Sequence, residues 1–130
     1  MVLLAGLQKQ RHSDPSGGLT AAQRRLLEHY ADANPEATPR DLMRQLDLTL
    51  DYGTRQFTRS VGRPPRQWLL ERRMHRAATR VAEGDETIVR IAEDFGYRDV
   101  RLFSRQFRMV FGQPPARFRV QVRRATPPDA

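Results

Sequence analysis

Gly53-Thr-Arg-Gln-Phe-Thr-Arg-Ser-Val-Gly-Arg-Pro-Pro-Arg-Gln-Trp68 recurs 50 residues later as Phe103-Ser-Arg-Gln-Phe-Arg-Met-Val-Phe-Gly-Gln-Pro-Pro-Ala-Arg-Phe118. Six of the 16 aligned positions are identical: Arg55/Arg105, Gln56/Gln106, Phe57/Phe107, Gly62/Gly112, Pro64/Pro114 and Pro65/Pro115. Chance gives about one, so the chain contains an internal repeat. Two copies are too few for a solenoid and fit two supersecondary units. In each copy a short amphipathic run ends in glycine, suited to the left-handed position after a helix. The second proline beyond that glycine suits the first turn of the next helix.

Upstream of each run lies another helix with its own start signal. Thr38-Pro39-Arg40-Asp41 offers an N-cap hydroxyl, a proline at N1 and a carboxylate in the first turn. In the second copy Asp85 or Thr87 can cap Ile88-Val-Arg-Ile-Ala-Glu-Asp94. Asp47-Leu48-Thr49 and Gly96-Tyr97-Arg98-Asp99 form the tight turns between paired helices, and Thr49 and Asp99 can cap the second helix of each pair. Helix, short turn and Arg-rich second helix is the helix-turn-helix pattern.

Working outward, Thr20-Ala-Ala-Gln23 reads as a capping box before apolar Ala22, Leu26, Leu27 and Tyr30. From Pro65 to Ala82, apolar Trp68, Leu69, Leu70, Met74, Ala77, Ala78 and Val81 recur at helical spacing. The expected fold is all-α, with seven helices at about 20–33, 39–46, 50–61, 65–82, 86–94, 100–110 and 115–122. Two helix-turn-helix units, 39–61 and 86–110, are joined by the long helix. The domain reading is a flexible linker or remnant of an upstream domain over 1–18, one domain over 19–124 and a disordered tail over 125–130.

Charge points toward a polyanion. The 130 residues carry a net charge of +8, with an isoelectric point near 11.2. Residues 53–82 hold eight arginines against Glu71, and residues 95–124 hold eight against Asp99; the acidic stretch 83–94 separates them. No apolar run approaches the roughly 20 residues of a membrane span, and no cationic segment precedes Val2–Leu7 as in a signal peptide. The cytoplasm is the expected location. Without cysteine there is no disulfide framework, thiolate nucleophile or Cys-ligated zinc. His12, His29 and His75 are scattered, and there is no phosphate-cradling glycine loop or nucleophile elbow. No enzyme activity, catalytic residue, cofactor or metal is expected.

Residues 88–119, from Ile88-Val-Arg-Ile-Ala-Glu-Asp-Phe-Gly-Tyr-Arg-Asp99 through Phe103-Ser-Arg-Gln-Phe107 to Gly112-Gln-Pro-Pro-Ala-Arg-Phe-Arg119, resemble the signature of AraC/XylS transcriptional regulators. The resemblance extends back through Arg73-Met74 and Ala77 and covers about residues 20–122. It implies a double helix-turn-helix domain that binds double-stranded DNA in two successive major grooves, and an activator that contacts RNA polymerase. Arg55 and Arg105 precede a core phenylalanine by two residues. At about 100° per residue they point away from the core, where a guanidinium can grip guanine O6 and N7. A salt bridge to the 83–94 segment is the competing role. The resemblance adds Asp51, Thr54, Arg101 and Leu102 as base-facing candidates, and Arg59 and Arg108 complete the expected DNA-binding set. The phenylalanines and Trp68 are read as core rather than base-stacking residues.

The chain departs from the family pattern in its first unit. Gly53 stands where the family usually has a core leucine, Met43 where it usually has alanine, and Asp51 puts an acid on the expected DNA face. The second unit is therefore expected to carry more of the specificity. Gly53→Ala should raise the melting temperature by relieving about 1 kcal/mol of helix cost, unless the site requires close approach. The joining helix, about 27 Å long at 1.5 Å per residue, nearly matches the roughly 34 Å between grooves on one face. A monomer reading an asymmetric site is thus expected in preference to a dimer. The alternatives are a basic protein binding nucleic acid without sequence preference, and a truncated regulator acting as a passive competitor.

Overall fold

The computed structural model describes residues 18–125. Seven α-helices, and no strands, occur among them: α1 Ala21–Ala33, α2 Pro39–Gln45, α3 Leu50–Val61, α4 Pro65–Glu83, α5 Ile88–Asp94, α6 Val100–Phe111 and α7 Pro115–Ala125. The expected linker over residues 1–17 and the tail from 126 lie outside the described residues. Gly18 is buried, and Leu19 N donates to Ser60 Oγ, tying the start of the described chain to α3. No described helix is long and apolar enough to cross a membrane.

Local hydrogen bonding sets these ends. Thr20 and Gln23 form the expected capping box at α1. Asp41 does more than interact with the helix dipole: its carboxylate accepts from Thr38 N at 3.0 Å, while Asp41 N donates to Thr38 Oγ1 at 3.2 Å. Thr49, Thr87 and Asp99 cap α3, α5 and α6. Thr87, rather than Asp85, caps α5, which starts at Ile88 instead of the expected 86. Residues 84–87 are instead held by α7: Arg123 donates to Gly84 O at 2.7 Å and Arg119 to Glu86 O at 2.6 Å. Gly62 and Gly112 close α3 and α6 at φ 86° and 79°, where a side chain would be strained.

The two helix-turn-helix turns share a closure that crosses the repeat register. Leu48 N donates to Met43 O and Tyr97 N to Ala92 O, each at 2.9 Å, around left-handed residues Asp47 and Gly96. Both are Schellman motifs. Asp47 occupies without glycine a conformation that Gly96 adopts freely. These equivalences are 49 residues apart, whereas those in α3 and α6 are 50 apart, because the second turn contains one additional residue before its cap.

Residues to Leu69 and residues from Leu70 form two compact units, divided within α4. The first buries Leu27, Ala31, Leu42, Met43, Leu46, Phe57 and Leu69. The second buries Met74, Ala77, Val81, Ile91, Ala92, Phe103 and Phe107. Phe57 meets Trp68 edge-on at 5.2 Å, and their repeat counterparts Phe107 and Phe118 do the same at 5.2 Å. Trp68 and the phenylalanines are packed against these cores, as expected.

One expectation is reversed by packing. A Cβ placed on Gly53 would overlap the Met43 thioether, lying 2.8 Å from its Cγ. Met43 is 1% exposed and cannot swing away into solvent. The first unit thus pairs large Met43 with Gly53 where the second has Ala92 with Phe103, so volume is exchanged across the two positions. Gly53→Ala should therefore lower the melting temperature by a few degrees, since overpacking costs about 1–3 kcal/mol and exceeds the helix-propensity gain. In a Met43→Ala background the same change should be much less harmful. Thermal denaturation of the four proteins measures that coupling, and a higher melting temperature for Gly53→Ala alone would contradict it.

Candidate nucleic-acid interface

The buried phenylalanines orient the second helix of each unit. Phe57 is 1% exposed and Phe107 0%, leaving Asp51, Arg55, Thr58 and Arg59 exposed on α3 and Arg101, Leu102, Arg105 and Arg108 exposed on α6. Thr54 is half-buried, and its carbonyl accepts from Thr58 Oγ1 at 2.8 Å. Thr54, Arg55, Gln56, Thr58 and Arg59 line a shallow depression on the first unit. Met109, 75% exposed, extends the apolar surface of α6. It occupies the repeat position of Arg59, so its lack of charge concealed it.

The expected competitor for Arg55 and Arg105, the acidic 83–94 segment, has other partners. Arg80 grips both oxygens of Glu86, from Nε at 3.2 Å and Nη2 at 2.5 Å, while Nη2 reaches Asp94 at 2.7 Å. Arg90 lies 3.4 Å from Asp94, and Arg123 lies 2.8 Å from Asp85. Arg55 instead pairs with Asp51 at 2.5 Å, and Arg101 with the cap Asp99 at 3.4 Å. Arg105 makes no side-chain hydrogen bond or ion pair among the described residues. Its charge acts on Asp99 at longer range, and its donors are open to solvent or a ligand.

A second network supports α6 from behind. Tyr97 OH donates to Gln106 Oε1, and Arg73 Nη1 donates to the Tyr97 oxygen at 3.2 Å. In the first unit Leu48 stands at the position of Tyr97, and Gln56 Oε1 is buried without a protein partner. Gln56 and Gln106 are identical in the repeat, but only Gln106 has a hydroxyl partner, because Leu48 and Tyr97 stand in the turn where the register changes.

Hydrogen bonding also moves carboxyl pKa values. The Arg80 hydrogen bond is the largest influence holding Asp94 below its ordinary 3.8, and the Arg101 backbone N–H does the same for Asp99. Such groups bind protons less readily folded than unfolded. Their stabilisation is present above the unfolded pKa and is lost as pH falls through the lower folded value. The melting temperature should consequently fall below about pH 4. Asp94→Asn should flatten part of that fall and lower the melting temperature at pH 7. Equal acid sensitivity in both proteins would refute the role of Asp94.

A family model described as a helix-turn-helix domain matches residues 42–121. The chain belongs to this family, in its AraC/XylS type. The transcriptional activator RhaS of Pectobacterium carotovorum is 30% identical over 114 residues, covering 88% of this chain and 40% of that protein. The transcriptional activator NphR of a Rhodococcus species is 31% identical over 101 residues, covering 78% and 29%. The chain thus spans less than half the length of these curated relatives. Among solved structures, the DNA-binding domain of AdpA in complex with a target DNA matches with a TM-score of 0.73 at 21% identity, over 82% of this chain and 96% of that one. An AraC-type regulator from Chromobacterium violaceum matches at 0.71 and 23% identity, over 78% and 92%. These structural likenesses establish the fold.

Proposed function

We propose that this chain is a sequence-specific transcriptional regulator that binds double-stranded DNA through α3 and α6. The observation that carries this reading is the repeat-equivalent placement of Arg55 and Arg105. Each lies on the exposed side of the second helix of a helix-turn-helix unit whose opposite side is buried. The relatives named as transcriptional activators support the regulatory part, and the AdpA complex supports duplex DNA as the ligand. In this reading a monomer engages an asymmetric site in two successive major grooves, in the cytoplasm, and activates through contact with RNA polymerase. Asp51, Thr54, Arg55 and Arg59 serve the first groove, and Arg101, Leu102, Arg105 and Arg108 the second.

Selection of bound sequences from a random duplex pool, followed by affinity measurements across salt concentrations, tests this reading. Neutralising about six phosphates predicts a slope of log K against log salt near -5. The selected duplexes should show two unlike half-sites about one helical turn apart. A slope close to zero would refute duplex binding, and an unenriched pool would leave a basic protein without sequence preference.

Arg105→Ala should relax the preference at one or two base pairs by about 1–3 kcal/mol each, because a bidentate guanine contact is removed. Repeating the selection with this variant reads the change directly. An equal loss on every sequence would make Arg105 a phosphate contact.

A further inference from the structure

In the first unit, the helix proposed to enter the groove carries its own counter-charge. Asp51 and Arg55 lie one turn apart on α3, with Arg55 Nη1 donating to Asp51 Oδ2 at 2.5 Å. Their side chains remain 84% and 62% exposed, respectively. At the corresponding positions the second unit has Arg101 and Arg105. An exposed pair at this spacing contributes little to stability, and a carboxylate facing phosphates weakens general attraction to DNA. Acid in the first turn of α3 also favours the helix N-terminus, but that electrostatic role does not require the carboxylate to engage Arg55.

Guanidinium geometry offers a role. The group is planar, with donors in fixed directions. Holding Nη1 leaves the edge formed by Nε and Nη2 open. In this same protein that edge of Arg80 grips both oxygens of Glu86, and two parallel donors also match O6 and N7 of guanine. We infer that Asp51 is a positioning residue for Arg55, holding its guanidinium so that the Nε and Nη2 edge reads a guanine. The first unit then trades phosphate attraction for base discrimination. The inference rests on the DNA-binding reading above and reverses the sequence-based expectation that acid at Asp51 leaves specificity to the second unit.

The test compares the unaltered chain with Asp51→Asn, Asp51→Glu and Arg55→Ala. Selection with the unaltered chain and Arg55→Ala identifies the guanine whose preference depends on Arg55. All four proteins are then titrated with the selected duplex, the same duplex carrying adenine at that position, and a scrambled duplex. Asp51→Asn should bind the scrambled duplex about twofold more tightly because a repelling charge is gone, while losing about tenfold in guanine-over-adenine preference. Asp51→Glu, which still reaches Arg55 across one turn, should retain most of that preference. A preference unchanged by Asp51→Asn overturns the inference, as does an equal loss on all three duplexes or the absence of any Arg55-dependent position. Failure of the unaltered chain to bind any duplex overturns the underlying DNA-binding reading, and the inference with it.

Discussion

Burial of one phenylalanine on the second helix of each unit fixes the rotation of that helix and so determines which side chains reach outward. Phe57 and Phe107 are almost wholly enclosed, and each is met edge-on by the aromatic residue near the start of the next helix. Burying such a side chain contributes about 1.5–3 kcal/mol, and edge-on aromatic contact adds further stabilisation. Rotating the helix to hide Arg55 or Arg105 would expose that ring and bury a cation. The Gly-x-Pro-Pro segment supports the constraint by ending one helix in a left-handed residue and starting the next where the aromatic partner can fold back. A packing requirement thereby produces an outward-facing guanidinium.

The basic excess has two physical roles that composition alone merges. Arg80 and Arg90 pair with carboxylates of the acidic stretch, while Arg119 holds the Val81 carbonyl of α4 and, with Arg123, the carbonyls and carboxylate of the loop before α5. Their charges are engaged in the architecture of the second unit. Arg105 has no such engagement and is available to an external anion or base edge. A polyanionic ligand is therefore attracted by the summed field but oriented by a smaller set of side chains on α3 and α6.

The two units reach the same architecture with different local solutions. Met43 with Gly53 replaces the small and large arrangement of Ala92 with Phe103. Leu48 replaces Tyr97, removing the hydroxyl that engages Gln106. On the exposed side, Asp51 replaces Arg101, pairing one guanidinium where the second unit presents two cations. Both units nevertheless keep a capped second helix with a buried phenylalanine. They alter how firmly a helix is supported and what charge it displays.

Helix number and order, the repeat, and the outward direction of Arg55 and Arg105 were legible in the chain, because capping residues, proline, glycine and helical periodicity act over a few neighbouring positions. Asp47 was read only as part of a tight turn, since aspartate visits the left-handed region but serves as readily in other turn and capping positions. Gly53 was read as a weak helical position because its partner Met43 lies on another helix, and only the packed structure shows the thioether occupying the place of a side chain. Likewise, the sequence showed acid near Arg55 and acid over 83–94 without deciding which carboxylate would meet which cation. The pairs Asp51–Arg55 and Arg90–Asp94 lie within one helical turn, but those of Arg80 and Arg123 depend on distances across folded elements. Helix ends, by contrast, are largely decided by hydrogen bonds within a turn. The sequence by itself determined the helices and the rotation of their Arg-bearing faces; the tertiary structure decided which neighbours filled volume and which charges remained available.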